Sequence, residues 1–173
     1  MNQIAFQPAF DPLHAVFRLL RLRDLFRKPP KPLAIDHVRI LDFYLLFPFR
    51  LAGMRAPVTM RTLKVVAKSY QHTVPYGEQP DDRMVFNRME PMQKAALQAL
   101  ALRSLIDKEA LENGTVVATA EQLPEAVVTR ILAANASEAD LLAVLGALAE
   151  FPLNGMDGLK HRTGLLEHRY DAV

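Results

Sequence analysis

The segment 35–47, IDHVRILDFYLLF, constrains the fold most, because Val38, Ile40, Leu41, Phe43, Tyr44, Leu45, Leu46 and Phe47 leave a helix started by Asp36 almost no polar side. Such a helix belongs at the centre of a fold or between subunits. It falls short of the roughly 20 apolar residues that cross a bilayer, and no stretch of the chain free of Asp, Glu, Lys and Arg exceeds ten residues. A soluble protein is expected. Arg39 and Asp42 sit three apart on one edge of the segment, close enough to pair, and a charge-satisfying pair in a buried helix outweighs a catalytic Asp.

Around this centre, 173 residues suit one compact domain, or one domain with an appended subdomain. Half of them are apolar and 23% charged, which excludes disorder as the main state. The start MNQIAFQPAF has neither the basic nor the apolar region of a secretory signal, and the absence of Cys removes disulfides, thiolate zinc sites and Cys nucleophiles together. A cytoplasmic protein is the expectation.

Further helices follow from spacing and caps. Over 11–26, Asp11 is a cap, Pro12 stands at the first helical position, and Leu13, Val16, Phe17 and Leu20 form a core-facing stripe. Residues 59–70 make a shorter helix with Arg61, Lys64 and Lys68 on one side and Leu63, Val66 and Ala67 on the other. Another helix opens at Glu90 and Pro91 and runs to about 106. Residues 107–113 read either as the first strand of a hairpin or as a helical turn capped by Asp107 and ended by Gly114. The helical turn, followed by a strand at 115–119, is preferred. Pro124 opens a helix with Val127, Val128, Ile131 and Leu132, and Ser137 with Asp140 resembles a capping box for a last one with Leu141, Leu142, Leu145 and Leu148. The fold class is mainly α with one small β element. Three parts are expected to pack as one compact unit: an N-terminal helical arm over 1–33, a core over 34–120, and a C-terminal helical pair and tail over 121–173.

Charge is uneven along the chain. Residues 1–72 carry 12 Lys/Arg against 4 Asp/Glu, a net of +8, while 73–120 give −2 and 121–173 give −4. Either different partners meet the two ends or the charges solvate two surfaces. His14, Arg18 and Arg21 lie along one edge of the first helix, and Arg23, Arg27, Lys28 and Lys31 extend the positive region. Arg18, Arg21, Arg27, Lys28 and Lys31 are candidates to bind a partner or nucleic acid, by gripping phosphates or docking an acidic protein, against the alternative of a solvating edge. Between 126 and 149 only Arg130, Glu138 and Asp140 are charged, so part of that helical pair either meets another protein or carries tolerated surface Ala and Thr.

Catalytic chemistry is absent from the pattern. No two of the five His stand at the i, i+3 or i+4 spacing of a helical metal site, and Ser69, Ser104 and Ser137 stand outside any nucleophile elbow. Gly155, Gly158 and Gly164 surround Lys160, His161 and Arg162, so Lys160 and Arg162 join the candidate binding residues as a phosphate nest; a tight loop that uses the glycines for positive φ is the preferred reading. No catalytic residue, metal or cofactor is expected, and an enzyme built on this loop ranks last.

The phrases FDPLHAVFRLLRL (10–22), IDHVRILDFYLLFP (35–48), FNRMEPMQKAALQALALRSLID (86–107) and NGMDGLKHRTGLLEHRYD (154–171) together resemble the middle component of bacterial ABC-three-component conflict systems, the group that includes Lamassu-type defence operons. The resemblance implies a non-enzymatic, mostly helical adaptor with a winged-helix-like part. Its implied partners are an SMC/Rad50-like ATPase subunit and an effector subunit, often a nuclease, in antiphage or antiplasmid defence, with DNA met through the complex and no membrane. The alternative is a winged-helix transcriptional regulator that binds DNA through the basic first half.

Overall fold

The computed structural model describes residues 8–26 and 31–167, and these form a mainly helical fold with one small sheet. Helix α1 is Pro12–Arg21, with Asp11 accepting the His14 N–H and Pro12 at the first position. Strand β1, Leu33–Ala34, leads into α2, Ile35–Leu46, which lies at the centre with residues 38–45 all buried. A 3-10 turn, Pro48–Gly53, passes the chain to α3, Arg61–Ser69, and the long α4 is Asp82–Leu102. Then come α5, Lys108–Glu112, and β2, Thr115–Val116. Helices α6, Glu125–Ser137, and α7, Ala139–Ala149, meet at 92°. The short α8 is Leu159–Thr163. No single described helix is long and apolar enough to cross a membrane.

Helix α1 ends five residues earlier than expected and buries a different stripe. Of the expected stripe Leu20 is buried and Val16 and Phe17 pack half-buried against the core, but Leu13 is 80% exposed, and Ala15, Arg18, Leu19 and Leu22 face most fully inward. The most buried set keeps the i, i+3, i+4, i+7 spacing but contains an arginine, so apolar periodicity alone places the centre of the inward face to one side of its true position. Arg18 can occupy a core position because α2 presents a buried carboxylate to it.

Helix α4 corrects the expected start at Glu90 and Pro91. It begins at Asp82, capped by Asp81 through the Met84 N–H, and carries Pro91 internally. Proline removes one helical bond, to the carbonyl of Asn87. Asn87 and Pro91 both lie on the exposed side, where water can take that carbonyl, while Val85, Phe86 and Met89 are buried by continuing the helix. At the other end α4 stops at Leu102, because Ser104 takes a left-handed φ of 56°. The Leu105 N–H returns to the Leu100 carbonyl and that of Ser104 to Ala101, closing the last turn.

The helical-turn reading of 107–113 holds: Asp107 caps α5 through the Ala110 N–H, and Gly114 follows at a φ of 83°. The strand is shorter than 115–119. It pairs antiparallel with β1, Leu33 opposite Val116, with an isolated bridge between Ile106 and Ala118. Ser137 does not cap α7. Its hydroxyl donates back to the Ala134 carbonyl as the last residue of α6, and the sharp bend leaves Glu138 at the α7 boundary.

Candidate functional site

The polar centre of the molecule is built where α1, α2 and α4 meet. Arg18 donates to both oxygens of Asp42, Nε to Oδ1 at 2.6 Å and Nη2 to Oδ2 at 3.1 Å, and its Nη1 reaches the Pro8 carbonyl at 3.0 Å. Gln93 on α4 donates to Asp42 Oδ2 at 2.9 Å and to the Arg39 carbonyl at 3.1 Å. Arg39 is not paired with Asp42. Its Nε donates to Gln93, and its two terminal nitrogens hold Asp36 at 2.9 Å and Glu90 at 3.1 Å, while the guanidinium lies 4.5 Å over the Phe86 ring. Glu90, also paired with Lys94, is held below its ordinary value chiefly by the Lys94 hydrogen bond, which burial opposes and the Arg39 charge reinforces. Asp42 is fully buried with both oxygens taken, so the network is a cross-brace among three helices and offers no group to a substrate.

The other candidate cations divide sharply. Arg21 Nε meets Asn135 at 2.8 Å and its Nη2 meets Glu138 at 2.6 Å, pinning α1 to α6. Arg23, though not among the named candidates, is tied to the carbonyls of Leu105, Thr119 and Glu121. Arg27 and Lys28 lie outside the described residues. Lys31 is exposed beside a shallow cavity of about 310 Å3 that it lines with His37, Glu150 and Phe151. His37 Nε2 bonds the Phe151 carbonyl at 2.9 Å, and burial holds the imidazole below its ordinary value although that carbonyl and Asp36 pull it up.

The glycine-rich loop folds onto itself. Gly155 and Gly164 have φ of 87° and 67°, and a Cβ on Gly158 would stand 2.3 Å from the Asn154 carbonyl oxygen. Arg162 holds the Asp157 carboxylate at 2.7 Å and the Arg55 carbonyl at 3.1 Å, and packs over Phe151. Lys160 is half-buried at the start of α8. The glycines serve the turn, and Arg162 is a tie within it.

Two surfaces stand out among the described residues. On α6 the only residue buried is Ile131, whereas Val128 and Leu132 are exposed, Leu132 by 63%, along a helix whose one cation, Arg130, leans over Phe17. On α3 the three cations Arg61, Lys64 and Lys68 are all exposed, and the candidates drawn from the basic first half, Arg18, Arg21, Arg27, Lys28 and Lys31, pass over them. Among the described residues no group of three His, Cys, Asp or Glu could hold a metal ion.

A family model described as ABC-three component (ABC-3C) system Middle Component 5 matches residues 4–171, almost the whole chain. No curated protein and no solved structure matches it.

Proposed function

The chain belongs to the middle component 5 family of ABC-three-component systems, and on that premise we propose that it is a non-enzymatic adaptor joining an SMC/Rad50-like ABC ATPase to an effector subunit, a nuclease in many such systems, in defence against phages or plasmids. The family name itself supplies the setting, a machine of several components of which this is the middle one. The observation that carries the adaptor role is the α6 surface. A helix of 13 residues with a single buried position and exposed Val128 and Leu132 has little reason to stay apolar unless a protein covers it. Within this role we place an N-terminal helical arm at 1–33, a winged-helix-like core at 34–120 and a C-terminal pair and tail at 121–173. The braces from α1 to Asp42 and Glu138 support their packing as one unit.

The regulator alternative relies on the basic first half, and two of its five candidate cations, Arg18 and Arg21, are spent on Asp42 and Glu138. The adaptor is therefore preferred. Coexpressed with the ATPase component of its own system, the chain should copurify with it and by itself should turn over neither nucleotide nor nucleic acid. Leu132→Arg should release the ATPase while leaving the helical circular dichroism unchanged. Retention of the partner by both Leu132→Arg and Val128→Glu would place the contact elsewhere.

A further inference from the structure

Residues 43–77 contain no Asp or Glu, yet they carry Arg50, Arg55, Arg61, Lys64 and Lys68. Arg50 is buried and spent on the Pro80 carbonyl and Asp82. The other four are exposed. Arg61, Lys64 and Lys68 stand at i, i+3 and i+7 of α3, on the face opposite the buried Leu63, Val66 and Ala67. None of the three forms an ion pair with an acid among the described residues. Past the C-terminal end of α3, Glu138 and Asp140 act on Tyr70.

This arrangement opposes the helix that carries it. Like charges at these spacings repel, and Arg61 occupies the first turn, where the helix dipole favours acids. Among the described cations of the first half, Arg18, Arg21, Arg23, Arg39 and Arg50 are drawn into internal ties, whereas the three on α3 stand together on one exposed face. A feature that breaks a local rule without a compensating contact marks a site for something outside the chain.

We propose that the exposed face of α3, joined by Arg55 from the segment leading into it, whose Nη1 stands 3.2 Å from His161 Nε2, binds the phosphate backbone of duplex DNA. Acidic protein surfaces usually intersperse both signs, whereas duplex DNA presents one negative charge per roughly 1.7 Å of axis and nothing else. A strip of unmixed positive charge fits the second better. From Arg61 to Lys68 is seven helical rises, roughly 10 Å. That length matches about three nucleotide steps of one strand at ~3.4 Å each, so each cation meets a separate phosphate. Such contacts position the protein without reading sequence. With three or four of them the isolated subunit binds modestly, and a DNA-engaged complex gains an added grip.

The proposal does not depend on the adaptor role, because it is read on the purified full-length chain alone. In fluorescence anisotropy with a labelled duplex of about 30 base pairs, log affinity should fall against log salt with a slope of roughly 3 to 4, about 0.9 per contact. Changing Arg61, Lys64 and Lys68 together to Gln should weaken binding at low salt by at least about tenfold and reduce the slope by roughly 3, with circular dichroism unchanged; the triple change to Glu should weaken it further. A salt-independent signal, or unaltered binding by both triple variants, would overturn the assignment. So would competition by polyglutamate as effective as by unlabelled duplex at equal charge, which would give the surface to an acidic protein.

Discussion

Asp42 shows how a charge becomes part of a core. It is fully buried, and two donors from Arg18 with one from Gln93 satisfy its carboxylate inside a bidentate geometry. Losing one partner strands the other in a low-dielectric site, a loss of about 3–5 kcal/mol, whereas replacing both by apolar groups of similar volume is close to neutral. Asp42→Asn should therefore lower the denaturant-measured unfolding free energy by about that amount, and Arg18→Met combined with Asp42→Leu should recover most of it. A single variant within about 1 kcal/mol of the parent would show that the brace contributes little. His37 makes the second claim at this scale. Burial keeps its folded-state value below 6.5, so on acidification the unfolded chain takes up the proton first. Its contribution is complete above about pH 6.5 and is lost as pH falls through the interval down to the folded value. His37→Gln keeps a donor for the Phe151 carbonyl and removes the titration, so its melting temperature should fall less steeply between about pH 7 and 5 than that of the parent. Parallel profiles would assign the acid sensitivity to other groups.

Among the elements, those whose pattern is purely local were the easiest to read. Helix α3 shows its buried Leu63, Val66 and Ala67 against its cations, and α2 declares its central position by lacking a polar face. Caps at Asp11 and Asp107 also act as their residue types suggest. What local pattern cannot carry is a partner distant in the chain. Leu33 pairs with Val116 and Arg18 with Asp42, so β1 and the true inward stripe of α1 become visible only when the chain is folded. Pro91 misleads for a related reason. Taken alone it marks a helix start, but the burial of Phe86 and Met89 outweighs one lost hydrogen bond on a solvated face. The candidate site divides in the same way: the charge-poor stretch 126–149 is apparent from composition, whereas the exposed state of Val128 and Leu132 depends on which side α1 covers.

At the scale of the whole molecule, folding neutralises part of the charge asymmetry along the chain. Arg21 to Glu138, Arg39 to Glu90 and Arg50 to Asp82 each join the basic first half to the acidic remainder. Among the described residues the apolar face of α6 and the cationic face of α3 stand outside those pairs, and the adaptor role proposed above has use for both. Bridging is the central claim, and coexpression of the three components tests it most directly. With this chain present, the ATPase and the effector should elute together from a sizing column, and without it they should elute separately. An ATPase and effector that associate equally well in its absence would contradict the adaptor role.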